Sequence, residues 1–266
     1  MQCVLCPLAS GSSGNSAYLS MGKTGVLIDA GPSAARLTKA LHDIGVDPYA
    51  LSGILVTHEH VDHIKGLRVF CRKYGTPVFA NEGTWKGILA RDGAFPEEVW
   101  RPIQTGKGFR IGDMTLHPFP IPHDAADPVG FTAVCGRVKY GVATDIGHIQ
   151  ESWMNALRGC QALIIESNHD EDMVRNGPYP LRLKQRILSP KGHLSNQDCA
   201  KALTFLCRTG TQMVYLSHLS QENNLPELAC STVFSVLDAE ESLKKDEIWI
   251  RVAKRDVPSD ALLTEL

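Results

Sequence analysis

Apolar and polar positions along this chain alternate with two periods. Residues 3–8 and 16–21 are short apolar runs, and Gly25-Val26-Leu27-Ile28-Asp29 is a third; each predicts a strand. Ala34, Leu37, Leu41 and Ile44 recur at helical spacing up to Gly45, which predicts a helix over 33–45. The branched stretch Ile54-Leu55-Val56 predicts a buried strand. Ile64, Leu67, Val69 and Phe70 follow at near-helical spacing. A strand at 77–80, a helix near 82–91 and short strands around 107–120 come next. Strands at 130–134, 139–144 and 162–165 enclose a helix near 150–158. A helix then runs to about 208, with Ser195 or Asn196 as its N-cap. A strand at 212–216, a helix near 225–240 and a strand at 247–253 close the pattern. Such alternation predicts an α/β chain whose sheets are half-covered by helices. No linker or low-complexity run divides it, so one domain over 1–266 is expected, with a tail at 258–266.

The 266 residues are 43% hydrophobic, enough for a substantial buried core. No apolar stretch approaches the length of a membrane span. Met1 to Leu8 lacks a basic segment and a long apolar one, so no secretory leader is expected. Eight cysteines are scattered through apolar surroundings, where a free thiol acts as a small hydrophobe. Cys3 and Cys6 form a lone C-x-x-C, and on a strand they face opposite sides, which predicts core or edge thiols. A cytoplasmic location follows from this usage. The net charge of −2 excludes a protein that coats nucleic acid through bulk charge. It leaves room for an enzyme that touches a few phosphates. One local basic cluster exists, Arg175, Arg182, Lys184, Arg186 and Lys191, and by charge alone it reads as a solvated face.

Candidate chemistry concentrates in Thr57-His58-Glu59-His60-Val61-Asp62-His63. His58, His60, Asp62 and His63 place four metal-binding side chains in a strand-to-helix turn. Such a turn points some rings to one side and the rest to a second point nearby, which suits two adjacent metal ions. Imidazole and carboxylate are ligands for borderline divalent metals such as zinc or manganese. His123, Asp145, Glu166 and His218 each follow a predicted strand, the position where α/β folds gather functional groups. Asp29 ends a strand and is placed to brace a ligand histidine. The loop from Ser10 to Ser16 is rich in small donors and suits an oxyanion. His193 follows Gly192, whose bare Cα admits a ligand, and precedes a helix whose amides favour an anion.

The segment Thr-His-Glu-His-Val-Asp-His resembles the H-x-H-x-D-H signature of the metallo-β-lactamase fold, and the later His123, Asp145 and His218 match in order. The resemblance implies an α/β fold, a metallo-β-lactamase-type αββα sandwich of two mixed β-sheets flanked by helices. It implies two divalent metal ions per chain, Zn2+ or Mn2+. His58, His60 and His123 would hold one, and Asp62, His63 and His218 the other, with Asp145 bridging. Ser-Gly-Ser-Ser-Gly-Asn-Ser, Glu-Ser-Asn-His-Asp, Gly-Pro-Tyr-Pro and Gly-His-Leu-Ser-Asn resemble segments of the YycJ/WalJ-type bacterial proteins, a subgroup described as 5′-to-3′ exonucleases. Glu166 and Gly192-His193-Leu194-Ser195 are also similar to paired elements of ribonuclease Z, where a Glu orients a His at the scissile phosphate. Only 21 residues separate His123 from Asp145, too few for a tRNA-gripping arm. The implied activity is phosphodiester cleavage at nucleic acid ends, DNA before RNA. Asp62, Glu166 and His193 would be catalytic, and Ser12, Ser13, Asn15 and Ser195 would bind substrate phosphate. The alternative is a glyoxalase II-like thioester or lactone hydrolase, which uses the same metals.

Overall fold

The computed structural model describes residues 2–240, 243 and 245–266. Within the single domain expected over 1–266, residues 1, 241, 242 and 244 therefore lie outside the described residues. The first half comprises strands β1 (Gln2–Ala9), β2 (Ser16–Met21) and β3 (Thr24–Ile28), helix α1 (Ala34–Asp43), and β4 (Gly53–Leu55). Helices α2 (Val61–Ile64) and α3 (Leu67–Tyr74) follow, then β5 (Val78–Ala80), α4 (Glu82–Asp92) and β6 (Trp100–Pro102). The second half begins with β7 (Phe109–Ile111), β8 (Met114–Pro120), β9 (Val129–Cys135) and β10 (Val138–Ala143). It continues through α5 (Glu151–Leu157), β11 (Ala162–Glu166), α6 (Glu171–Asn176), α7 (Leu181–Ile187) and α8 (Asn196–Arg208). The last elements are β12 (Met213–Ser217), α9 (Pro226–Asp238), β13 (Trp249–Val252) and β14 (Leu262–Glu265).

Two mixed seven-stranded sheets result, ordered β14-β1-β2-β3-β4-β5-β6 and β13-β12-β11-β10-β9-β8-β7. In each, one side is antiparallel and the other parallel. The central strands carry apolar side chains on both faces, as strands covered on both sides must. In β3, Val26 and Ile28 point between the sheets while Leu27 points outward beneath the first helical layer. In β11, Ala162 and Ile164 point between the sheets while Leu163 and Ile165 pack under α5, α8 and α9. Helices thus cover both outer faces, giving an αββα sandwich. Each buried branched side chain stabilises it by about 1.5–3 kcal/mol relative to exposure.

The C-terminal segment differs from expectation. The predicted tail at 258–266 contains β14, which pairs antiparallel with β1 from Gln2↔Glu265 to Leu5↔Leu262. Leu262 is buried between the sheets, so a four-residue edge strand is anchored by one apolar contact too short to read as a period. Helices α6 and α7 were also not legible as elements, because six and seven residues interrupted by Gly177-Pro178-Tyr179-Pro180 give no full helical repeat. Cys3 and Cys6 are both fully buried, one between the sheets and one under the outer helices. Burial pushes the Cys6 thiol up to about 12, the state of an inert core thiol.

Candidate metal centre

The site is built at the C-terminal ends of the parallel strands of both sheets. β4 ends at Leu55, and Val56-Thr57 carries the chain into the histidine turn ahead of α2. His58 and His63 are fully buried there, while His60 and Asp62 are partly exposed. Among the described residues, three non-glycine positions have left-handed backbone: Asp29 (φ 62°), Asp145 (φ 62°) and His218 (φ 56°). Each stands just past a strand, β3, β10 or β12. Left-handed backbone costs roughly 1–2 kcal/mol in a residue with a side chain, and such strain collects at functional sites. Here it turns three side chains back over the sheet edges toward one point.

His58, His60 and His123 converge. His58 Nε2 lies 3.0 Å from His60 Nδ1, and His123 Nε2 lies 3.3 Å from the same atom. The far nitrogens are already engaged, His58 Nδ1 by Thr57 Oγ1 (3.0 Å) and His123 Nδ1 by the Gly192 carbonyl (3.0 Å). Asp62, His63 and His218 form a second group, with His218 Nε2 3.4 Å and His63 Nε2 3.6 Å from Asp62 Oδ2. Asp145 stands between, its carboxylate 3.1 Å from His63, 3.6 Å from His123 and 3.5 Å from His218. Ligand atoms within each group lie within 4.8 Å of one another.

This arrangement fits divalent cations. Ring nitrogens that face one another at 3.0–3.3 Å, with the opposite nitrogens of His58 and His123 bonded elsewhere, direct lone pairs to a common point. Asp145 Oδ2 is buried and no well-formed hydrogen bond reaches it among the described residues; it lies 3.1 Å from His63 Nε2, itself a candidate ligand atom, so both are left to face a cation. Burial alone would raise the Asp145 carboxyl, but the His218 and His63 rings beside it hold it well below the usual range.

Buried carboxylates stand behind the rings. Asp29 Oδ2 accepts from His63 Nδ1 and Thr57 Oγ1, both at 2.8 Å, and Oδ1 accepts from the Thr57 amide at 2.8 Å. Glu166, fully buried, serves two rings. Its Oε1 accepts from His193 Nδ1 at 2.9 Å and His218 Nδ1 at 2.7 Å. Its Oε2 accepts from the amides of Ile146 (2.7 Å) and Leu194 (3.0 Å). Burial would raise this carboxyl too, yet the charge and hydrogen bonds of His193 and His218 bring it down to about 2. The register Glu166↔Ser217 between β11 and β12 explains the double role, since it sets the carboxylate beside the residue after Ser217.

Above the rings opens a cavity of about 220 Å³ lined by His60, Asp62, His123, Asp145, His193 and His218, with Ser12, Asn168, Tyr179, Leu183, Arg186, Ile187 and Ser220. Among the residues expected to bind phosphate, Ser12 lines it. Ser13 is exposed outside it. Asn15 is buried and turned to other work: Oδ1 accepts from the Gly11 amide at 2.8 Å and Nδ2 donates to Asp62 Oδ2 at 3.2 Å. Ser195 is also buried, its Oγ capping α8 by accepting from the Asp198 amide at 3.2 Å. Neither Asn15 nor Ser195 faces the cavity, because local backbone donors claim their oxygens first. Gly192 also departs from expectation. A Cβ there would sit 2.1 Å from the Ile187 carbonyl, so its bare Cα admits the end of α7 rather than a ligand.

Several cavity residues escaped sequence reasoning. Leu183 and Ile187 belong to the unread α7, Tyr179 was marked only as part of Gly-Pro-Tyr-Pro, and Arg186 had no assigned role. Arg186 makes a bidentate pair with Asp124 at 2.6 and 3.0 Å, and Asp124 Oδ1 lies 3.3 Å from His123 Nε2. His148 binds the Pro190 carbonyl at 2.7 Å outside the cavity, and His169 is buried and bridges to Ser195.

Residues 24–219 match the model of the beta-lactamase superfamily domain. The chain is 39% identical over 231 residues to the exodeoxyribonuclease YycJ of Bacillus anthracis, covering 87% of this chain and 88% of that protein. It is 40% identical over 232 residues to the exodeoxyribonuclease WalJ of Streptococcus pneumoniae, covering 86% of both. In structure it is similar to the metallo-beta-lactamase fold protein YhfI of Bacillus subtilis, with a TM-score of 0.76 over 99% of each chain at 14% identity, a likeness of fold alone.

Proposed function

Since the chain belongs to the beta-lactamase superfamily, we propose that it is a divalent-metal-dependent exodeoxyribonuclease that removes nucleotides from DNA ends. The observation that carries the reading is the pairing of a near-full-length match to exodeoxyribonucleases with His193 on the cavity wall and the buried Glu166 behind its ring. His58, His60 and His123 would hold one ion, Asp62, His63 and His218 a second, with Asp145 shared. Ions bound there supply Lewis acidity toward a phosphoryl oxygen and lower the pKa of water. Asn15 fixes the Asp62 carboxylate, and Asp29 fixes the His63 ring. Glu166 accepts from His193 Nδ1, which leaves Nε2 to carry a proton to the leaving oxygen. Ser12 serves an adjacent phosphate. The polarity is 5′-to-3′, by resemblance to the subgroup named above, and the setting is cytoplasmic.

The thioester alternative needs the ions but gives His193 no proton to deliver, because a thiolate leaves unaided; a lactone would expel an alkoxide and use one, so the choice of substrate separates that case. The deciding experiment follows DNA labelled at either end, with purified protein and manganese or zinc. The expected result is stepwise release of nucleotides from the 5′ end, abolished by chelation. Rapid thioester or lactone cleavage with DNA ends left untouched overturns the reading.

A further inference from the structure

The cavity has an asymmetric wall. From Met173 to Gln197 the chain has no Asp or Glu and five basic residues, Arg175, Arg182, Lys184, Arg186 and Lys191, in a protein of net charge −2. This stretch contains α7 and the turn before it, and it supplies Tyr179, Leu183, Arg186 and Ile187 to the cavity. Leu183 and Ile187 lie four apart on α7 and share one stripe, while Arg182 and Arg186 form the neighbouring stripe. Leu181 is 70% exposed at the start of the helix. The basic residues differ in their engagements. Arg175 pairs with Glu171, Lys184 donates to the Arg175 carbonyl, and Arg186 pairs with Asp124. Among the described residues, the side chains of Arg182 and Lys191 have no partner and are exposed.

Tyr179 is held in advance. It lies between Pro178 and Pro180, so both neighbours have a fixed φ and the residue before a proline is driven extended. Gly177 before it must lack a side chain, because a Cβ would meet the Met173 carbonyl at 2.5 Å. An aromatic ring on a stiffened turn, beside an apolar stripe and a flanking cationic one, matches a nucleotide. The ring takes the base and the cations take the phosphates.

We propose that the Tyr179–Lys191 segment is the strand-end subsite of this protein. The base of a single-stranded DNA end stacks on Tyr179 over Leu183, and its flanking phosphates lie against Arg182 and Lys191. This deepens the exodeoxyribonuclease reading and rests on it for the choice of DNA. Stacking on a π-face is sequence-tolerant, so the subsite accepts any base.

Binding is tested apart from cleavage by anisotropy of a labelled single-stranded 12-mer with phosphorothioate linkages, titrated with metal-loaded protein. Tyr179→Ala should weaken binding about 10- to 100-fold, and Tyr179→Phe should restore most of it. Arg182→Ala and Lys191→Ala should each reduce the slope of log K against log salt by about 0.7. Circular dichroism of each variant checks that it is folded. Unchanged affinity in folded Tyr179→Ala, or failure of the wild-type protein to bind the strand, overturns the subsite. Binding that depends on Tyr179 without any cleavage of ordinary DNA upholds the subsite and overturns the nuclease reading.

Discussion

The two sheets meet the site with the same device used to different ends. On the first sheet, Asp29 stands buried behind His63 and is satisfied by one ring and by Thr57. On the second, Glu166 stands buried behind His218 but shares the same oxygen with His193. One carboxylate orients a candidate ligand; the other couples a candidate ligand to a side chain that no proposed metal needs. On the proposed reading, the second sheet would hold both the metal side and the proton side of the chemistry, whereas the first would hold the metal side alone. Two sheets with mirrored strand order thus make unlike contributions to one cavity.

The sharpest way to break this comparison is to remove the group common to both sides. Asp145→Ala should lower the metal content below two ions per chain and reduce activity by at least about 10³-fold. Elemental analysis of the folded variant checks it, and two ions retained would remove Asp145 from its shared role.

Next comes the contrast between the two braces. Four donors surround Glu166, two rings and two amides, so Glu166→Gln must turn its own NH2 toward one pair. Asp29→Asn meets three donors and suffers the same conflict around one ring. Each change should weaken metal affinity by about 10- to 100-fold. Glu166→Gln should in addition reduce turnover at saturating metal, and Asp29→Asn should recover there. Metal titrations of activity for both variants decide it. Full recovery of Glu166→Gln would make the two braces equivalent.

Much of this centre was legible because its residues sit where local patterns are densest. The run from His58 to His63 follows an apolar strand directly, and His123, Asp145 and His218 each lie just beyond one. Asp29 could be suggested as a brace from its place at the end of β3. What was not legible depends on pairing between distant segments. That Glu166 holds His218 as well as His193 follows from a parallel register between β11 and β12, whose strands are separated by three helices. Asn15 carried the right chemistry, but the Gly11 amide captures its oxygen, which only the folded backbone reveals, whereas the capping role that occupies Ser195 was already written in the sequence. The α7 wall was hidden by its shortness, and β14 by having a single inward leucine. Helix caps and strand runs are written locally; edge pairing and cavity walls are not.

The central claim is that His193, held by Glu166, delivers a proton in phosphodiester cleavage without holding a metal. The most direct test is His193→Ala, assayed on DNA ends and on a nitrophenyl phosphodiester, with metal content measured on the same preparation. The account predicts two ions retained, a loss of about 10²–10⁴-fold on DNA, and a much smaller loss on the nitrophenyl substrate, whose leaving group needs no proton. An equal loss on both substrates, or the loss of an ion, would contradict it.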